Sequence, residues 1–160
     1  SRFVGATPMV AHNASFDRRY WQAELALCGL PALQPYACTV LLSRRLYPHA
    51  PNHRLGTLAA LHHLPQAGRA HRALADAEVT AHLLLQIQHD VSSRFAEELC
   101  HREVDHSLLR ALQRSEARAV VLARDLVGRL VAIRRPLLAR AGGCRRGHIG
   151  QPIGRFLDGA

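Results

Sequence analysis

The chain has 160 residues, 48% of them hydrophobic and 21% charged, with a formal net charge of +9. That balance excludes an intrinsically disordered polymer and suits a single folded domain, while the positive charge favours phosphate backbones or anionic surfaces as partners. All 21 basic residues are Arg, a skew that GC-rich coding DNA explains without any function, so the charge alone identifies no partner.

In chain order, the apolar run 8–11 reads as a short buried strand running into a turn at His12-Asn13. From Ala14 the pattern becomes helical. Phe16, Tyr20, Trp21, Ala23, Leu25 and Leu27 recur at three- and four-residue steps until Gly29-Leu30-Pro31, and Asn13 or Ser15 is placed to cap the start. Residues 36–39 read as a second strand and 40–46 as a helix. A Pro-containing loop over 48–52 precedes a helix over 55–64, which Pro65 ends. A loop over 66–70 leads to a long helix over 72–88, with Leu74, Ala77, Ala81, Leu84 and Leu85 on one face. Residues 92–113 look helical but densely charged, and 124–160 hold eight Arg against Asp125 and Asp158. The chain therefore divides into a compact part, 1–115, and a basic C-terminal extension, 116–160, partly helical or disordered.

The uncharged run between Glu24 and Arg44 contains Gly29, Pro31 and Pro35, so it is turn and strand and not a membrane span. The N-terminus shows no apolar run leading to a small-residue cleavage site. Cys28, Cys38, Cys100 and Cys144 form no Cys-x-x-Cys pair, which points to reduced thiols and a cytoplasmic location.

Two segments carry chemistry. His12-Asn13-Ala14-Ser15-Phe16-Asp17 is a strand end, a tight turn and a carboxylate in the first turn of a helix. His71-Arg72-Ala73-Leu74-Ala75-Asp76 is a loop His followed by a helical carboxylate. Five positions apart on one helix, His71 and Asp76 would stand about 140° from each other. With His71 just ahead of the helix, its ring can fold back toward Asp76, as a base beside a metal-bound carboxylate would. Each segment alone has a plainer explanation: Asp17 suits any helix N-terminus, where a carboxylate is worth about 0.3–1 kcal/mol. Both occurring in this order, with helices between them, is the more specific observation.

Together the segments resemble the DEDDh 3′–5′ exonuclease family, the type that includes the proofreading epsilon subunit of bacterial DNA polymerase III. His12 to Asp17 matches the second family motif, and His71 to Asp76 matches the third, with its His-x4-Asp spacing. Cys38-Thr39 and Leu55-Gly56-Thr57-Leu58-Ala59 are also similar to family members, and the likeness covers about residues 3–90. It implies an α/β, ribonuclease-H-like fold and hydrolysis of DNA from its 3′ end to nucleoside monophosphates by two Mg²⁺ or Mn²⁺ ions. By the same resemblance Asp17 and Asp76 are metal ligands and His71 is the base. His12, Asn13 and Phe16 line the pocket for the terminal nucleotide. The implied partners are single-stranded DNA 3′ ends, with RNA a further candidate, and a DNA polymerase subunit, with no membrane.

The first family motif, an Asp-x-Glu pair on a strand, has no counterpart here. Residues 1–16 contain neither Asp nor Glu. The expectation is an exonuclease fold truncated at its N-terminus, mostly helical with one or two short strands, one sheet edge or face left open, and inactive by itself. The alternative is a non-catalytic relative that binds nucleic acid or docks on a polymerase. His49-x3-His53 has zinc-ligand spacing but lies among prolines and reads as solvated loop, and His62-His63 reads as helix surface. The basic amphipathic stretch 118–140 suits nucleic acid, an acidic partner or a membrane surface equally.

Overall fold

The computed structural model describes residues 3–65, 73–100 and 102–115. The predicted extension 116–160, His71 and Arg72 therefore lie outside the described residues. Strand β1 (Met9–Ala11) leads through Asn13 into helix α1 (Ala14–Leu27), and the chain returns to β2 (Tyr36–Cys38). The two strands pair in parallel, Met9 with Tyr36, Val10 with Ala37 and Ala11 with Cys38. Helices α2 (Thr39–Leu46), α3 (Leu55–Leu61), α4 (Ala73–Arg94), α5 (Ala96–Leu99) and α6 (His106–Leu112) follow. The described part is thus mostly helical around one small parallel sheet.

Helix α1 stops because Gly29 adopts a left-handed φ of 66°. Its N–H donates to the Ala26 carbonyl, and that of Leu30 reaches back to Leu25. These paired bonds satisfy the last carbonyls and turn the chain toward β2. The start of α1 departs from expectation. Asn13 occupies the cap position, but it sits in the left-handed region and its side chain caps nothing. Ser15 Oγ instead donates to Asn13 Oδ1 at 3.2 Å.

The core runs from Ala37 and Leu42 through Leu58, Leu83, Ile87 and Val91 to Leu109 and Leu112. Helices α2 and α3 both pack on α4, and α6 packs on β2 and α2. Two predicted faces are corrected by this packing. On α4 the buried stripe is Val79, Leu83, Ile87 and Val91, whereas Leu74 and Leu85 are 73% and 62% exposed. The helix also runs on to Arg94, and α2 and α3 cover the side roughly a third of a turn from the expected one. On α1 only Ala14 and Leu25 of the apolar periodic residues are buried, while Phe16, Tyr20 and Leu27 are exposed. The densely charged stretch after residue 91 is not one helix but the end of α4, then α5 and α6, broken by a left-handed Cys100.

His62 is likewise no surface residue, because its ring lies 4.3 Å from that of Tyr47. Tyr47 is buried, and its hydroxyl donates to Asp90 Oδ2 at 2.7 Å. Gln86 Nε2 donates to the other oxygen of Asp90 at 2.9 Å. Arg94 donates to the Leu46 carbonyl and stands over the Tyr47 ring. This cluster ties the C-terminal end of α2 to α4. Burial, then the Asp90 hydrogen bond and charge, push the Tyr47 phenol far above its ordinary value.

A side chain completes the far edge of β2. Gln113 Oε1 accepts from the Cys38 N–H at 2.7 Å, and Gln113 Nε2 donates to the Tyr36 carbonyl at 3.3 Å. Its amide thereby stands where a neighbouring strand's peptide group would be. Gln113→Leu removes both partners from β2 and is expected to cost about 1–3 kcal/mol, read by urea unfolding. β1 is the opposite edge strand, with no strand beyond it among the described residues.

Candidate functional site

The C-terminal end of β1 delivers His12 to the interior and Asp17 to the surface within two turns of chain. The His12 ring is half-buried, with Nδ1 2.9 Å from Thr39 Oγ1. Thr39 is fully buried at the first position of α2. Burial is the main influence on His12 and holds its pKa below the ordinary histidine value. The His53 backbone and the carboxylates of Asp17 and Asp76 oppose that shift, and the His53 ring adds to it. The two predicted carboxylates, from α1 and α4, are therefore both within electrostatic reach of one ring. Sixty residues of sequence separation are closed by packing α4 against α2.

Asp17 is exposed in the first turn of α1, and Asp76 is half-buried in the first turn of α4. Thr80 Oγ1 donates to the Asp76 carbonyl at 2.7 Å. Asn13 and Phe16, like Asp17, are exposed. The Phe16 ring leans on Tyr20, centroids 4.6 Å apart. His71, the predicted base, lies outside the described residues.

One neighbour was not singled out by sequence. Tyr36 carries a buried hydroxyl without a hydrogen-bond partner. Burial raises its pKa, the Asp17 carboxylate adds to the effect, and Arg18 counters it. Thr39 stood out in sequence only as part of a family-like Cys-Thr pair; a lone threonine opening a helix carries no other signal. His53 belongs to the same region, because its Nδ1 lies 3.0 Å from Oγ of the fully buried Ser43.

The donor chemistry suits a hard divalent cation, which takes carboxylate oxygens. The donor number falls short: among the described residues, no group of three or more His, Cys, Asp or Glu side chains could hold a metal ion. No described helix is long and apolar enough to cross a membrane.

The buried histidines make stability pH-dependent. Desolvation lowers the pKa of His12, His53 and His62. A base depressed in the fold is held neutral there, so its contribution is complete above the unfolded value of about 6.5. It is lost as pH falls below that value toward the folded one. Thermal melts followed by circular dichroism should show a constant midpoint near and just above pH 7 and a falling one as pH drops below about 6.5.

The sequence model of the family described as Exonuclease matches residues 1–84. The PolC-type DNA polymerase III of Halalkalibacterium halodurans is 41% identical over 93 residues, 58% of this chain and 6% of that protein. That of Bacillus subtilis is 37% identical over 94 residues, again 58% of this chain and 6% of the relative. The protein of the same description from Listeria innocua is 41% identical over 83 residues, 51% of this chain and 6% of its own length. The chain thus spans about 6% of the length of these relatives. No solved structure matches it.

Proposed function

Because the chain belongs to the exonuclease family, we propose that it is part of a metal-dependent 3′–5′ exonuclease acting on single-stranded DNA ends beside a DNA polymerase. The observation that carries this reading is the match of the Exonuclease family model to residues 1–84, the segment that holds both Asp17 and Asp76. Residues 1–115 serve as a partial ribonuclease-H-like exonuclease domain, and 116–160 as a basic extension. The relatives' description as PolC-type DNA polymerase III supports the link to replication.

In this reading Asp17 and Asp76 would hold Mg²⁺ or Mn²⁺, which would supply charge stabilisation to a bound phosphate. His71 accepts the proton of the attacking water. Asn13 and Phe16 receive the terminal nucleotide, and His12 lies at their base. With two carboxylates and no third ligand among the described residues, the chain binds a divalent ion weakly and does not hydrolyse DNA unaided. The same shortfall favours a second reading, a non-catalytic relative that binds nucleic acid or docks on a polymerase.

A trimming assay separates the two. A 3′-labelled single-stranded oligonucleotide with MnCl₂ is offered to the 160-residue chain, and to the chain joined to a strand hairpin bearing an Asp-x-Glu pair ahead of Ser1. The expected result is no release by the first and stepwise release of nucleoside monophosphates by the second, abolished by Asp76→Ala. Release that Asp76→Ala and Asp17→Ala leave unchanged would overturn the site; no release by the joined protein favours the binding role.

A further inference from the structure

We propose that His62 is an acid-sensitive latch: its neutral ring, seated on Tyr47, holds the C-terminal end of α3 against α2 and α4, and uptake of a proton releases that end. The latch involves neither a metal ion nor DNA.

Three observations converge on it. The first is the seat of the ring. His62 closes α3, its N–H donating to the Leu58 carbonyl at 3.0 Å. Its ring lies 4.3 Å from that of Tyr47, which is buried at the end of α2. Nε2 is itself buried and has no hydrogen-bond partner among the described residues. A neutral imidazole can keep Nε2 free of hydrogen and of charge. In the imidazolium both ring nitrogens carry hydrogen, so a proton taken from solvent leaves a buried, charged donor with nothing to accept it.

The second observation is the charge already in place. Arg94 of α4 stands over the same Tyr47 ring, 5.6 Å from its centroid, so a second cation on that ring meets a first. The carboxylate of Asp90, also on α4, favours the proton, but its two oxygens already accept from Tyr47 and from Gln86. Burial is the largest influence and lowers the pKa of His62; Asp90 opposes it, and Arg94 and His63 add to it. The third observation is strain. His63 stands at φ 51°, a left-handed conformation that costs a non-glycine residue energy and persists only where neighbours impose it. Those neighbours are the seated His62 and Leu64, whose N–H donates to the Ala59 carbonyl at 2.9 Å and whose side chain packs on the core. With seven residues, α3 is too short to persist without its packing. Charging His62 removes one of the two holds on a strained end.

Amide hydrogen exchange on the 160-residue chain, corrected for the intrinsic pH dependence of exchange, tests the latch. Protection at His62 and Leu64 should be constant above about pH 7 and fall about ten-fold per pH unit below about 6.5, the slope of one bound proton. The fall should level off where the His62 ring ¹⁵N signal titrates. Leu83 and Ile87, in the middle of α4, should stay more strongly protected throughout, because α4 does not open with the end of α3. His62→Phe keeps a ring on Tyr47 and takes up no proton, so its α3 protection should not change with pH. A fall that His62→Phe retains overturns the latch and passes the role to His53, at the other end of α3. Equal loss of protection at α3 and at Leu83 and Ile87 overturns it too, since acid then opens the whole fold. The native chain alone supplies a further check: a His62 ring that titrates at or above about 6.5 gains nothing from release, and the latch fails.

Discussion

His71→Ala, in the joined protein that trims DNA, is expected to slow nucleotide release by about 10²–10⁴-fold, the usual contribution of a positioned general base. Asp17→Ala and Asp76→Ala should be at least as severe, since they remove metal ligands instead of a proton acceptor. The two effects differ in their pH dependence. A histidine base works only when neutral, so the native rate should fall toward acid pH. In His71→Ala the residual rate should lose that limb, because the base that has to be neutral is gone. In the Asp variants the limb should persist at a much lower ceiling. A steady-state pH profile of released monophosphate reads both. If His71→Ala keeps the native rate and profile, His71 is not the base, and the His-x4-Asp match at Asp76 has no chemical meaning.

The parts of this protein that were legible in sequence are those set by local chemistry. The apolar run ending in His12-Asn13 and the Gly29-Leu30-Pro31 stop give β1 and α1 their bounds to within two residues. The resemblance of the two segments to the exonuclease family selected Asp17 and Asp76, which the fold brings within electrostatic reach of one ring. What failed was the choice of face. Helix α1 carries apolar residues on two sides, Ala14, Trp21 and Leu25 on one and Phe16, Tyr20 and Leu27 on the other, and periodicity ranks them equally. Only the sheet, which covers the first set, decides between them. The partners of His12 were illegible for a related reason. Thr39 is 27 residues away, and a single threonine acquires meaning only when β1 and β2 fall into register. The same holds for Ser43 with His53, and for the Gln113 amide, which meets Tyr36 and Cys38 across more than seventy residues.

That choice of face sets the largest stability effect. Leu83→Ala is expected to destabilise the fold by about 2–5 kcal/mol, whereas Leu85→Ala should change it by less than about 0.5 kcal/mol. Leu83 is fully buried and Leu85 is 62% exposed, although the two are neighbours of identical type on one helix. Leu83 belongs to the core cluster with Leu42, Leu58 and Ile87, and that cluster joins α2 and α3 to α4. Truncating it leaves a cavity at that junction, and the fixed backbones of three helices limit how far the site can collapse. A loss of this size is a large fraction of what a domain of about a hundred residues possesses, so Leu83→Ala should be partly unfolded at 37 °C. Paired urea denaturation curves measure the difference. Equal effects from the two leucines would mean that the buried stripe of α4 is not Val79, Leu83, Ile87 and Val91. The packing that sets Asp76 near His12 would then fail with it, because the same stripe holds α4 against the helix whose Thr39 meets the His12 ring.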